Sequence, residues 1–104
     1  MIGKIIRKLR LEKGITQNEL SNYLGLTPKM VSFYELGERF PPYDIILKLA
    51  DYFNVSADYL LGRSAIKNAE ELLTDYNSLS ELNKHDLEKY IQTLKLKDIE
   101  DKKS

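Results

Sequence analysis

The chain lacks several residue types and patterns that particular functions require. Its 104 residues include no cysteine, which excludes a disulfide framework, a thiolate metal site and a thiol nucleophile. A single histidine likewise excludes a histidine-rich metal site. No apolar run approaches the roughly 18 residues that a membrane span needs. The first four residues lack the apolar core of a secretory signal, so we expect a cytoplasmic chain with no membrane partner.

The chain carries no net charge, but its charges are unevenly distributed. Sixteen Lys and Arg balance sixteen Asp and Glu. Residues 1–40 nevertheless have a net charge of +3, with seven basic and four acidic side chains. Residues 64–104 have a net charge of −2, with seven Lys and nine Asp or Glu. This asymmetry is compatible with a binding face for an anionic partner, but many soluble domains show as much.

The first 62 residues show the signals of five short helices. Apolar residues from Ile2 to Leu9 follow the i, i+3, i+4, i+7 spacing of one buried stripe. Thr16 and Glu19 form the pattern of a capping box, and a threonine–proline pair opens the next helix. No segment alternates like a β-strand, so we expect an all-α fold. The expected helices cover about residues 2–13, 17–24, 28–36, 42–53 and 57–61.

The remainder of the chain divides differently. We interpret residues 1–62 as one domain, residues 63–68 as a linker, residues 69–97 as a helical extension and residues 98–104 as a disordered tail. Within the extension, one narrow apolar face is formed by Leu87, Tyr90, Ile91 and Leu94. A lone helix of this kind is marginal in water and needs a partner surface.

The second and third helices are joined at Gly25 by a turn too tight for a longer loop. This arrangement is a helix-turn-helix, whose second helix enters the DNA major groove. The segment resembles the Cro/CI-type phage repressors, also called the xenobiotic-response-element family, over roughly residues 2–62. The residues that match the family are Arg10, Gly14, Thr16, Gln17, Leu20, Leu24, Gly25, Val31, Tyr34, Glu35, Gly37, Pro41, Leu49, Ala50, Val55, Ser56, Asp58, Tyr59, Leu60 and Leu61.

The resemblance implies a phage-repressor-like DNA-binding domain and assigns roles to particular residues. Lys29 is expected to donate to guanine, and Phe33 to pack on a thymine methyl group. Phe33 alternatively covers the flank of the fourth helix, and Lys29 is alternatively a solvated lysine. The expected base-reading residues are Pro28, Lys29, Ser32 and Phe33, and the expected phosphate-binding residues are Gln17, Asn18 and Arg39.

The resemblance also pairs Arg10 with Glu35, as a structural ion pair between the first and third helices. Three other basic side chains of the first helix, Lys4, Arg7 and Lys8, are most simply a solvated face. Long-range attraction to DNA is their weaker alternative.

The sequence favours no catalytic site. His85 has only Asp86 beside it, and adjacent helical residues do not face each other. Neither a nucleophile elbow nor a glycine-rich phosphate loop is present. We therefore expect neither an enzyme nor a cofactor.

A domain of about 62 residues covers only one operator half-site, so specific affinity usually requires a dimer. The extension itself resembles the helix that follows the DNA-binding domain in many small phage and mobile-element repressors. That resemblance implies a dimer formed through Leu87, Tyr90, Ile91 and Leu94. The extension alternatively packs back on its own domain.

We therefore expect a homodimeric repressor that occludes a pseudo-palindromic operator and is inactivated by an outside agent such as an antirepressor protein. The second interpretation is an antitoxin or other interaction protein, whose C-terminal helix binds a toxin or different partner and whose DNA binding serves autoregulation.

Overall fold

The computed structural model describes residues 1–103 and shows helices with no β-strand over that range. Ser104 lies outside the described residues. The expectation of an all-α fold is therefore confirmed. The helices are α1 (Ile2–Lys13), α2 (Gln17–Leu24), α3 (Pro28–Leu36), α4 (Tyr43–Phe53), α5 (Ala57–Leu60), α6 (Ala69–Ser78) and α7 (Glu81–Lys103). The chain divides into two compact units, Met1–Ala69 and the residues that follow.

The first unit encloses one hydrophobic core, to which all five helices from α1 to α5 contribute. Each of these helices contributes at least one fully or almost fully buried aliphatic side chain, because each presents one apolar stripe inward. The buried core residues are Ile2, Ile6, Leu9, Leu20, Leu24, Val31, Tyr34, Ile45, Ile46, Leu49, Ala50, Val55 and Leu60. This core fixes the positions of α2 and α3 relative to α1.

Gly3 allows α1 to approach the carboxyl end of α3 very closely. A Cβ atom at this position would overlap the backbone oxygen of Tyr34 and would lie 2.7 Å from the backbone oxygen of Glu35. Backbone atoms cannot rotate away as a flexible side chain can. The close packing of α1 on α3 therefore requires glycine at position 3.

Local hydrogen bonds set the start of the two helices that form the helix-turn-helix. The Thr16 hydroxyl accepts a hydrogen bond from the backbone N–H of Glu19. In return, the Glu19 carboxylate accepts one from the backbone N–H of Thr16, which completes a capping box. Thr27 caps α3 by accepting a hydrogen bond from the backbone N–H of Met30. Between them, Gly25 has a φ of 72°, a left-handed conformation that glycine adopts without strain.

The segment 63–68, expected to be a linker, is part of the first unit and is bonded to it. The backbone oxygen of Lys67 accepts the N–H of Ser56 at 2.8 Å, and the Asn68 amide donates to the backbone oxygen of Asn54 at 2.9 Å. The Lys67 ammonium lies 3.3 Å from the Glu12 carboxylate. Composition alone did not predict these contacts, because they join residues far apart in the sequence.

The second unit begins at Glu70 and contains α7 and all of α6 except its first residue. The Tyr76 hydroxyl donates to the Glu88 carboxylate at 2.5 Å, and Ser80 caps the start of α7 by accepting the N–H of Asn83. The hydrogen bond to Glu88 raises the pKa of Tyr76 because it favours the protonated phenol.

Helix α7 extends to Lys103, past the expected end of the extension at Lys97. The last residues, expected to be a disordered tail, are therefore helical up to the limit of the description. The physical reason is that residues 81–103 contain neither glycine nor proline and are rich in Leu, Glu and Lys, which are strong helix formers.

Candidate nucleic-acid interface

The residues expected to read DNA bases lie in the first two turns of α3. Pro28 and Lys29 are exposed, whereas Ser32 and Phe33 are half-buried. Pro28 occupies the first helical position, where its missing N–H costs no hydrogen bond. The amino-terminal part of α3 therefore presents these residues outward, while Val31 and Tyr34 turn into the core.

Two cationic side chains lie close to the Phe33 ring. The Lys29 ammonium is 5.7 Å from the centre of the Phe33 ring, and the Arg39 guanidinium carbon is 5.6 Å from it. Both distances fall within the range of a cation–π interaction. We call Lys29, Phe33 and Arg39 the recognition cluster. It combines an apolar ring with two flexible positive charges, which can contact a base edge, a methyl group or a phosphate.

Arg10 and Glu35 form an ion pair behind this surface. The Arg10 Nε donates to Glu35 Oε2 at 2.6 Å, and Arg10 Nη2 donates to Oε1 at 3.1 Å. A third Arg10 nitrogen, Nη1, donates to the backbone oxygen of Ile15. The hydrogen bonds that Arg10 donates to Glu35 raise the pKa of Arg10, because they favour the charged guanidinium. The pair joins α1, α3 and the loop that precedes α2.

Gln17 makes a contact that the sequence did not predict. Its side-chain amide donates to Glu35 Oε1 at 3.1 Å, so this oxygen accepts from both Gln17 and Arg10. Gln17 is half-buried at the amino end of α2, and the neighbouring Asn18 is exposed. The buried pair therefore holds the Gln17 side chain in a defined orientation next to the free N–H groups of the helix start.

Lys4 and Arg7 line a cleft of about 480 Å³ together with Gln17 and Ser32. From the sequence, Lys4 and Arg7 are expected to belong to a solvated face. The cleft, however, places them beside two residues expected to contact DNA. One signal was available in the sequence. Lys4, Arg7 and Arg10 follow one another at three-residue spacing, which places them along one side of α1.

The other candidate residues lie elsewhere. His85 is exposed on α7, as is its neighbour Asp86. Of the residues proposed for dimerisation, Leu87 is half-buried, and Tyr90, Ile91 and Leu94 are exposed. Within residues 1–103, we find no group of acidic or histidine side chains that could hold a metal ion. Over the same range, no helix is both long enough and apolar enough to cross a membrane.

Comparisons with known proteins match this arrangement. The sequence pattern of the helix-turn-helix family matches residues 6–60. The HTH-type transcriptional regulator ImmR of Bacillus subtilis is 37% identical over 89 residues, which cover 82% of this chain and 70% of ImmR.

Two solved structures are also similar. The P22 c2 repressor in complex with a synthetic operator superimposes with a TM-score of 0.59 and 30% identity, covering 62% of this chain and 97% of that one. The SinR–SinI complex superimposes with the same TM-score and 25% identity, covering 91% of this chain and 98% of that one. The chain therefore belongs to the helix-turn-helix family and is a repressor-like, DNA-binding transcriptional regulator.

Proposed function

We propose that the protein is a homodimeric repressor that binds an inverted-repeat operator and blocks the access of RNA polymerase. Each protomer inserts α3 into the major groove of one half-site. The half-site centres lie about 34 Å apart, one turn of B-DNA, as in other dimeric helix-turn-helix proteins. The operator complex of the P22 c2 repressor supports this use of the shared domain.

The observation that carries the proposal is the recognition cluster. Lys29 and Arg39 both lie near the Phe33 ring at the outward side of α3. In our proposal Lys29 donates to a guanine, and Phe33 packs against a thymine methyl group of the same half-site. Pro28 and Ser32 complete the surface that contacts base edges.

Phosphate contacts fix the register of α3 in the groove. We assign them to Gln17 and Asn18 at the amino end of α2 and to Arg39 after α3. The free N–H groups and positive dipole end of α2 favour an anion there. The hydrogen bond from Gln17 to Glu35 supports this assignment, because it holds the amide in place before DNA binds and so reduces the entropy cost of binding.

The dimer in this proposal forms through the apolar face of α7. Leu87, Tyr90, Ile91 and Leu94 are the residues that we assign to it. Three of these side chains are exposed to solvent, with Tyr90 at 61% exposure. A helix that exposes large apolar side chains is stabilised by covering them.

The test is selection of the purified full chain against random duplex DNA at about physiological salt. We expect an enriched inverted repeat whose half-site centres lie about one helical turn apart. Enrichment of a single half-site would remove the dimer from the proposal, and no enrichment would remove sequence-specific binding. We expect the variant Ile91→Asp to bind the same half-site but to lose the preference for two half-sites in an inverted repeat. The matched control is Gln92→Asp, which lies outside the proposed dimer face and should keep that preference.

We infer that the protein has no catalytic activity and acts in the cytoplasm, where its DNA target lies. The relationship to a named transcriptional regulator supports the first inference. The exposed position of His85, beside an equally exposed Asp86 on α7, offers no water-excluded site for proton transfer.

A second candidate function is that of a DNA-binding partner protein, such as an antitoxin or a regulator held by an antirepressor. The similarity to SinR solved with SinI favours this alternative, because that protein was captured with another protein. Here the apolar face of α7 binds a different chain. Sedimentation of the pure protein discriminates the two, since a stable homodimer supports the repressor and a monomer supports the partner protein.

A further inference from the structure

The charges on α7 follow a pattern that its apolar residues alone do not reveal. Leu87, Ile91 and Leu94 lie on one stripe of the helix at alternating four- and three-residue spacing. Continuing the same spacing by one step in each direction reaches Lys84 and Asp98. The stripe therefore has an apolar middle, a positive end and a negative end, with Ile91 at its centre.

From this pattern we propose that two copies of α7 pair in antiparallel orientation, with Ile91 at the two-fold axis. The inference rests on the proposed homodimer and adds its geometry. In an antiparallel pair Lys84 of each copy faces Asp98 of the other, because each lies seven residues from Ile91. In a parallel pair Lys84 would face Lys84 and Asp98 would face Asp98. Equal charges at both ends would then repel.

The edge of the stripe supports the same orientation. Glu88 lies three residues before Ile91 and Lys95 lies four residues after it, on the same side of the stripe. Two antiparallel helices bring the same edge of each copy together. Glu88 of one protomer therefore meets Lys95 of its partner, and the reciprocal pair forms across the axis. Such pairs at the edge of a helix interface set partner choice and orientation.

Contacts within the unit hold the positive end of the stripe in place. The Lys84 ammonium lies 3.3 Å from the Glu81 carboxylate and 5.6 Å from the centre of the Tyr76 ring. The Lys84 side chain is 20% exposed as a result. An ammonium has three donors, so Lys84 can keep the contact with Glu81 and donate to Asp98 of a second copy.

The absence of cysteine from the sequence allows a direct test by disulfide cross-linking. We would prepare full-length Lys84→Cys and Asp98→Cys, oxidise each alone and then oxidise an equal mixture. Positions 84 and 98 are about 21 Å apart along one helix. A parallel pair therefore cannot form the 84-to-98 disulfide, and an antiparallel pair centred on Ile91 cannot form the 84-to-84 or 98-to-98 disulfide. We expect a cross-linked dimer that contains one copy of each variant. Cross-linking of each variant to itself alone would overturn the antiparallel orientation.

Charge reversal provides a second test that needs no covalent bond. We expect Lys84→Glu and Asp98→Lys each to weaken self-association roughly tenfold, because each turns two attractive contacts into repulsive ones. The double variant restores the attraction and should return the dissociation constant to that of the unmodified chain. If the protein is dimeric and neither single change alters the dissociation constant, the pairing is overturned although the dimer stands. A monomeric chain that still selects a half-site would overturn both the pairing and the dimer, without affecting DNA binding.

Discussion

Arg10 and Glu35 are 25 positions apart in the sequence and share two hydrogen bonds in the interior of the first unit. Their side chains are only 11% and 2% exposed, respectively. Separating such a pair leaves a charge in a poorly solvated place, which costs more than the pair itself contributes. The Arg10–Glu35 ion pair therefore fixes the position of α1 relative to α3. Its contribution to the stability of the protein can be measured by replacing one or both residues.

We expect Arg10→Met to lower the free energy of unfolding by about 3–5 kcal/mol, since it strands the Glu35 carboxylate. The double variant Arg10→Met with Glu35→Leu should be more stable than the single variant, because no buried charge remains. Urea unfolding followed by circular dichroism measures both. If the double variant were less stable than Arg10→Met, Glu35 would stabilise the fold by other contacts, and the cost of a stranded charge would not explain the loss in the single variant.

Gly3→Ala is expected to destabilise the protein although alanine favours helices by about 1 kcal/mol over glycine. The added Cβ atom would press on the backbone oxygens of Tyr34 and Glu35, and separating α1 from α3 costs about 1–3 kcal/mol. We therefore expect a lower melting temperature for Gly3→Ala. Lys4→Ala, one position away and exposed, is the matched control and should change the melting temperature little. Unchanged stability of Gly3→Ala would refute the close approach.

Lys29→Ala should weaken operator binding by about 1–3 kcal/mol and relax discrimination at one base pair. Removal of Gln17 by Gln17→Ala should weaken binding to all sequences alike, because a phosphate contact carries no base information. Competition binding with single-base operator variants separates the two effects. Lys8→Ala is the control, since its charge lies 3.9 Å from Glu12 on the same helix. Equal losses on every sequence for both variants would contradict the assignment of their roles.

Arg39→Ala is expected to lower the dependence of operator affinity on salt. Loss of one phosphate contact reduces the slope of log affinity against log salt by about 1. The measurement is a series of binding titrations between low and physiological salt. An unchanged slope with reduced affinity would instead indicate that Arg39 acts by supporting the Phe33 ring.

The hydrogen bond between Tyr76 and Glu88 should depend on pH. It raises the pKa of the phenol, so its contribution to stability is complete below the usual tyrosine pKa and is lost as the pH rises through the raised value. Glu88→Gln removes the charged acceptor and should lower the pKa of Tyr76. Tyrosine-labelled NMR titration of both forms, with Tyr76→Phe to assign the signal, measures the change. An equal pKa in both forms would exclude the hydrogen bond.

Much of the first unit could be predicted from the sequence because its signals are local. The capping box at Thr16, the cap at Thr27 and the left-handed glycine at position 25 each involve residues at most three apart. The apolar spacing from Ile2 to Leu9 likewise identified the buried face of α1. The resemblance to a family added the pairing of Arg10 with Glu35, which spacing alone does not predict.

What the sequence did not reveal depends on contacts between distant residues. The bonds of Lys67 and Asn68 to the first unit join segments more than ten positions apart, so the polar composition of 63–68 suggested a linker instead. The same limitation applies to the cleft that brings Lys4 and Arg7 beside Gln17, because it exists only after α1 packs on α3. The length of α7 was missed for another reason. Its charged end resembles a disordered tail in composition, while its individual residues favour a helix.

One oxygen of Glu35 accepts hydrogen bonds from both Arg10 and Gln17. Gln17, the proposed phosphate contact, is thus hydrogen-bonded directly to the buried ion pair in the interior of the unit. A genetic screen for loss of repression would consequently recover substitutions at Arg10 and Glu35 as well as on the exposed surface of α3. Such alleles would resemble operator-contact mutants in their phenotype, and only their lowered protein abundance would distinguish them.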